Sequence, residues 1–178
     1  MVVLALPLLA ACSGSESAAG NGQHDEQTQP GYTAYNVSKR KGAPDLSGGT
    51  ITGGNFSLKA MKGKVVVVNF WGSWCPPCRA ESAALVQVAK ATAGKGVEFV
   101  GVDERDTKTN AVSFDRGHGV TYPSVFDEDG SIAAQWPGGG GPPYTFIIDR
   151  QGKIAARILG GVTPAELQSA VDKVTAEA

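Results

Sequence analysis

Apolar positions cluster along this chain in two distinct rhythms. Val65–Phe70 reads VVVVNF, an almost unbroken β-branched run. Such a run suits a central strand buried on both faces, where no polar alternation is tolerated. Val97–Asp103, VEFVGVD, predicts a second buried strand. Between them the period changes. From Pro76 to about Ala93, Ala80, Ala84, Val88 and Ala91 share one helical face, flanked by Leu85 and Ala89, and Gly94 and Gly96 end the helix. Thr107–Gly117 predicts a short helix, Pro123–Asp127 an extended piece, and Gly130–Trp136 a helical turn. Gly138–Pro143 reads as an irregular loop. Tyr144–Asp149 and Lys153–Gly160 are strands joined by a tight turn at Arg150-Gln151-Gly152. The chain closes on an amphipathic helix with Thr163 as N-cap, Pro164 in the first helical position and Glu166 at the capping-box position. Upstream, Thr50–Leu58 holds two short β-prone runs around Gly53-Gly54, a hairpin pattern, and Leu58–Lys64 a short helical turn. A β-α-β step gives parallel strands with a right-handed crossover, and the late hairpin adds antiparallel ones. The expectation is an α/β domain over 41–178, with a mixed central sheet and helices on both faces.

The chain has 178 residues, of which 42% are apolar, enough for one core. Sixteen Lys and Arg against seventeen Asp and Glu leave a net charge of −1, which argues against nucleic-acid binding because phosphate contact needs a concentrated cationic surface. Met1–Ala11 is apolar over the length of a secretory signal segment, well short of the roughly 20 residues that span a membrane. It is expected to be a signal peptide, with the mature chain outside the cytoplasm. Residues 12–40 are rich in Ser, Gly, Gln and Asn and poor in large apolar residues, and predict a flexible tether, with His24 solvated in it.

Three cysteines cannot form a dense disulfide framework. A structural zinc site needs four N or S ligands. Beyond Cys75 and Cys78, only Cys12, His24 and His118 are candidates, and none completes a second ligand pair, so neither metal nor other cofactor is expected.

Cys75 and Cys78 stand where the buried strand gives way to a helix. At the N-cap or first helical position, Cys75 faces free N–H groups and the positive end of the helix dipole, both of which favour thiolate. Pro76 and Pro77 lose no helical bonds in a first turn, and they remove donors that would otherwise face the sulfur. Cys78 lies one turn in and is expected to be the more buried. Cys75 is then the attacking sulfur and Cys78 the resolving one. A static crosslink is the weaker reading, since so small a loop constrains the unfolded chain least.

Two resemblances add to this. Leu9-Ala10-Ala11-Cys12 resembles the lipobox of bacterial lipoproteins, which implies a lipidated Cys12 and a domain anchored on the extracytoplasmic face of the cell membrane. The chain departs from that pattern in having no Lys or Arg before Cys12. VVVVNFWGSWCPPCRAE, Val65–Glu81, resembles the active-site segment of the TlpA/ResA family of extracytoplasmic thiol–disulfide oxidoreductases; APDL at Ala43–Leu46 and FIIDRQGKIAARILG at Phe146–Gly160 are similar to family segments. The resemblance implies a thioredoxin-like fold with an extra N-terminal β-hairpin. It also implies reduction of disulfides of exported proteins, as in cytochrome c maturation, with re-reduction by a transmembrane electron donor; the chain is expected to be a monomer.

Residue by residue, the resemblance makes Pro143 a cis-proline whose preceding backbone pairs with substrate. Pro142 before it departs from the family's more usual aliphatic residue. Asn69 occupies the place of the titrating Asp of thioredoxin. Asp106, with Glu104 second, is the expected acid assisting the resolving cysteine, and Asp103 a strand or loop cap. Trp74 is expected to cover the sulfurs, Trp71 to pack, and His118 to be a loop residue. Two other functions share the fold. A peroxiredoxin-type peroxidase would need a P-x-x-x-[TS]-x-x-C pattern, which SWCPPC lacks; a copper-handling module uses a C-x-x-x-C spacing one residue longer.

Overall fold

The computed structural model describes residues 26–138 and 140–177. The expected signal peptide at 1–11, Cys12 and His24 lie outside the described residues.

A seven-stranded mixed sheet organises the domain. Its strands are β1 (Glu26–Gln29), β2 (Tyr32–Tyr35), β5 (Val65–Trp71), β6 (Val97–Glu104), β7 (Ser124–Asp127), β8 (Tyr144–Ile148) and β9 (Ile154–Leu159), in the order β1-β2-β9-β8-β5-β6-β7. A small separate sheet pairs β3 (Ser47–Gly49) with β4 (Asn55–Ser57), the hairpin expected around Gly53-Gly54. β5 runs parallel to β6 and antiparallel to β8, and β6 runs parallel to β7. Every residue of β5 is buried. Val65 and Val67 pack on one side of the sheet, and Val66, Val68 and Phe70 on the other. Two-sided burial is why the strand carries no polar alternation; its one amide, Asn69, belongs to the site described below.

Among the described residues three α-helices complete the fold: α1 (Pro76–Thr92), α2 (Lys108–His118) and α3 (Pro164–Ala176). Ala84, Leu85 and Val88 of α1 meet Leu167, Ala170, Val171 and Val174 of α3 over Val65 and Val67. α2 lies on the same side, with Phe114 stacked on Trp71 at 4.4 Å between ring centroids. The opposite side is covered by β4 and by 3-10 turns at Leu58–Met61 and Ala133–Gln135, through Phe56, Leu58 and Ala133. Helical elements therefore occupy both faces, but unequally. Two right-handed crossovers that step the same way along the sheet, β5-α1-β6 and β6-α2-β7, must put both helices on one side. α3 begins with the expected capping box between Thr163 and Glu166.

The expected tether does not run to residue 40. Residues 26–35 are the hairpin β1–β2, which adds to the outer edge of β9. EQTQPGYTAY reads as polar because an edge hairpin is largely solvated, and its informative signal is the Pro30-Gly31 turn, where Gly31 takes φ 77°. Arg40 then pins the segment down. Its guanidinium reaches Asp149 at 3.2 Å, Glu177 at 2.6 Å and the Tyr35 carbonyl at 3.0 Å.

Candidate active site

The end of β5, the start of α1 and the loop before β8 converge on the cysteine pair. Cys75 is the N-cap of α1 and is joined to Cys78 by a disulfide, with Cα atoms 5.3 Å apart. Pro76 and Pro77 supply no N–H, so the donor to the Cys75 sulfur is the Cys78 amide, at 3.2 Å. Both cysteines are covered: each is 2% exposed, so the expected contrast in burial between them is absent. The buried cluster around them is formed by Ile51, Trp71, Ala111 and Phe114. Trp71, expected only to pack, thus stands in the wall of the disulfide. Trp74 is 49% exposed, and its indole N–H is spent on the Glu104 carbonyl at 3.2 Å. It lies across Gly72, where a Cβ would come 2.6 Å from Trp74 Nε1, so glycine is the residue that admits it. His118 stacks on Phe114 at the end of α2, outside the site.

The Pro142–Pro143 peptide bond is cis, and the Pro142 carbonyl oxygen lies 3.5 Å from Cys75 Sγ. The Pro143 carbonyl accepts from the Gly160 amide at 3.0 Å, which ties this loop to the end of β9. The loop Gly72–Trp74 is clasped from two further sides. Ser73 N–H donates to Asp106 at 2.7 Å, and the Ser73 carbonyl accepts from Arg79 at 2.6 and 3.0 Å.

The expected acids serve this clasp. Asp106 spends one oxygen on Ser73 and the other on the Thr107 amide at 2.7 Å. Glu104 gives its backbone carbonyl to Trp74, while its buried carboxyl is raised by desolvation, with Arg105 pulling the other way and Asp127 adding to the rise. The carboxyl one turn beyond Cys78 is Glu81, which was not among the expected residues. It is buried, accepting from Asn69 Nδ2 at 2.8 Å on one oxygen and from Val162 N–H at 3.1 Å on the other. Burial pushes its carboxyl up to about 7, while the two hydrogen bonds pull it down. Asn69 also donates to Thr145 at 3.1 Å. The non-titrating Asn69 therefore holds a titrating group beside it. A Glu in the second turn of a helix reads as solvated; the signal was its i+3 spacing from Cys78, which shares the inward face. Asp103 is not a cap. It is fully buried at the end of β6, where no N–H or hydroxyl among the described residues donates to either oxygen, and its side-chain hydrogen bond is to another acid, Asp106.

The sequence pattern of the AhpC/TSA family matches residues 40–157, from the Arg40 clamp to β9. The chain belongs to the AhpC/TSA family. Among proteins similar to this AhpC/TSA member is the thiol-disulfide oxidoreductase ResA of Bacillus subtilis, 34% identical over 110 residues, which are 57% of this chain and 62% of ResA. The chain spans between about half and two thirds of the length of the curated relatives it matches, from 53% to 66%. Among solved structures, a DsbF homologue from Corynebacterium diphtheriae is 35% identical, with a TM-score of 0.73, covering 83% of this chain and 98% of that one. A secreted thiol-disulfide isomerase from Corynebacterium glutamicum is 28% identical, with a TM-score of 0.76, covering 85% and 97%. A thioredoxin family thiol:disulfide interchange protein from Chlorobium tepidum is 33% identical, with a TM-score of 0.69, covering 77% and 97%. The fold of this AhpC/TSA protein is thioredoxin-like. Among its described residues no helix is long and apolar enough to cross a membrane.

Proposed function

We propose that this protein is a thiol–disulfide oxidoreductase that reduces disulfides of exported proteins, working as a monomer on the extracytoplasmic face of the cell membrane. The observation that carries the reading is the arrangement around the disulfide: a cysteine N-cap, a carbonyl 3.5 Å from its sulfur, and a buried carboxyl titrating near 7 one turn beyond its partner. In the reduced protein, Cys75 thiolate attacks one sulfur of a substrate disulfide. A mixed disulfide forms and the other substrate sulfur leaves. Cys78 gives its proton to Glu81 and attacks Cys75 Sγ, which closes the Cys75–Cys78 bond and releases the second substrate thiol. A transmembrane electron donor restores the dithiol. The apolar Met1–Ala11 and the following Cys12 support export and lipid anchoring, with 1–11 removed and Cys12 acylated. Apocytochrome c is one substrate of the class that suits this reading.

The test is a trap. Cys78→Ser leaves the attacking sulfur and removes the resolving one, so mixed disulfides with exported proteins accumulate and vanish again in the Cys75→Ser, Cys78→Ser double variant. Adducts that survive the loss of Cys75 would sink the assignment. Peroxide consumption by the reduced protein, at a rate above that of free dithiothreitol, would favour the peroxidase reading instead.

A further inference from the structure

Apart from Glu104, whose register partner is Asp127, four carboxyl groups crowd the end of β6 and its neighbours: Asp103, Asp106 in the next loop, Asp115 on α2 and Asp127 on β7. Three of them have donors. Asp106 has the Ser73 and Thr107 amides, Asp127 the Ile132 and Ala133 amides, and Asp115 the Ser124 hydroxyl on one oxygen. Asp103 has no N–H or hydroxyl donor on either oxygen among the described residues, its side-chain hydrogen bond is to the Asp106 carboxyl, and it is 0% exposed. The charged groups that act on it are the other three acids, Asp127 from the opposite side of the sheet as the register partner of Glu104, while nearby Arg105 acts on Glu104 and Tyr144.

Its position gives this a use. Asp103 is the register partner of Trp71 in the parallel β5–β6 ladder. In-register partners project to the same side of a sheet. Asp103 therefore stands beside the ring that walls the disulfide, under α2, which contributes Ala111 and Phe114 to that wall. A carboxylate buried with no donor is strongly disfavoured, and three acidic neighbours disfavour it further. The group keeps its proton. Burial first, then the charges of Asp106 and Asp115, the hydrogen bond to Asp106 and the charge of Asp127, hold its carboxyl up to about 8.

We propose that Asp103 is a proton-holding positioning residue for the Cys75–Cys78 pair: while neutral, it adds no charge beside the Trp71 wall behind the sulfurs, so that thiolate at Cys75 meets no like charge from it. The proposal rests on the oxidoreductase reading only for the use made of that thiolate. The role differs from that of Glu81, whose oxygens both have donors and which exchanges a proton with Cys78. Two negative charges in one poorly solvated wall oppose each other, so thiolate formation and ionisation of Asp103 are reciprocal. Reduction then raises the Asp103 carboxyl, and ionisation of Asp103 favours the disulfide.

The experiment is the equilibrium of the Cys75–Cys78 couple with dithiothreitol across about pH 6 to 9, in wild type and Asp103→Asn. Asn matches the neutral acid in shape. The ratio of the two equilibrium constants is expected to be flat up to about pH 7.5, then to rise in favour of reduced Asp103→Asn. It reaches about fivefold at pH 9 if the coupling is about one pKa unit. A flat ratio over the whole range, with a variant folded like wild type at pH 6, overturns the proposal. Should the variant fail to fold, the ¹³C carboxyl titration of Asp103 in wild type decides. A midpoint near 8 in the oxidised protein that moves up on reduction is expected; equal midpoints, or one in the usual carboxylate range, overturn it. Both readouts use dithiothreitol alone. Failure to act on any protein disulfide would remove the oxidoreductase reading and leave this result intact.

Discussion

Asn69 cannot titrate, yet its amide holds an acid: Glu81, at 2.8 Å, fixed on its other side by the Val162 amide. Because burial holds the proton on Glu81 up to about pH 7 rather than 4.5, folding takes up a proton between those values. Stability from this group is full below about pH 4.5 and is lost as the pH rises through 7. The same shift places the group where a general base is effective at neutral pH. Glu81→Gln is expected to slow closure of the Cys75–Cys78 bond on a mixed disulfide by about 100-fold at pH 7, and to remove the inflection near 7 from the pH profile. Stopped-flow resolution of a preformed mixed disulfide measures this, and an unchanged profile would take Glu81 out of the proton path. The same variant should flatten the fall in stability between about pH 5 and 7, as read by urea unfolding.

At the scale of elements, the course of the chain was largely legible. VVVVNF announced β5, the 3.6-residue period announced α1, and Thr163 with Glu166 announced the start of α3, because each is a local pattern with a local physical cause. The cysteine pair was legible for the same reason, as a helix start following a buried strand. What the sequence did not show are contacts between distant segments. Glu81 owes its burial to Asn69 on β5 and to the Val162 loop, and Asp103 to α2 and β7 packed around the end of β6. The wall behind the disulfide depends on such a contact as well. A Cβ on Gly101 would lie 2.5 Å from Trp71 Nε1 and 2.6 Å from Ser124 Oγ, so β6 is open there to let the indole lie flat. Gly101→Ala forces that ring aside. A loss of about 1–3 kcal/mol in urea unfolding is expected, with a changed Trp71 fluorescence; a variant as stable as wild type would show that the ring has room to move.

The molecule as a whole has two poles. β9 runs from Ile154, beside the Arg40 clamp, to Leu159, whose register partner Tyr144 directly follows Pro143. β2 pairs antiparallel to β9 with Tyr32 opposite Ile158, and β1 returns so that Glu26 lies opposite Tyr35. The described chain therefore begins at the pole away from the disulfide, and the hairpin covers what would otherwise be a bare sheet edge. Arg40 secures that pole. Its side chain and that of Asp149 are 5% and 6% exposed, and it joins the N-terminal segment to the end of β8 and, through Glu177, to the residue after α3. Removing one member of a buried pair leaves the other charge uncompensated, so Arg40→Met is expected to cost about 3 kcal/mol, read by urea unfolding at pH 7. Amide exchange should quicken in β1, β2 and β9 before the rest of the sheet. The rate of exchange at Cys75 should not change, because the clamp and the disulfide lie at opposite ends of the strands. Uniform loss of protection across the sheet, or a slowed Cys75, would mean that the poles are mechanically coupled and that the hairpin is part of the site's support.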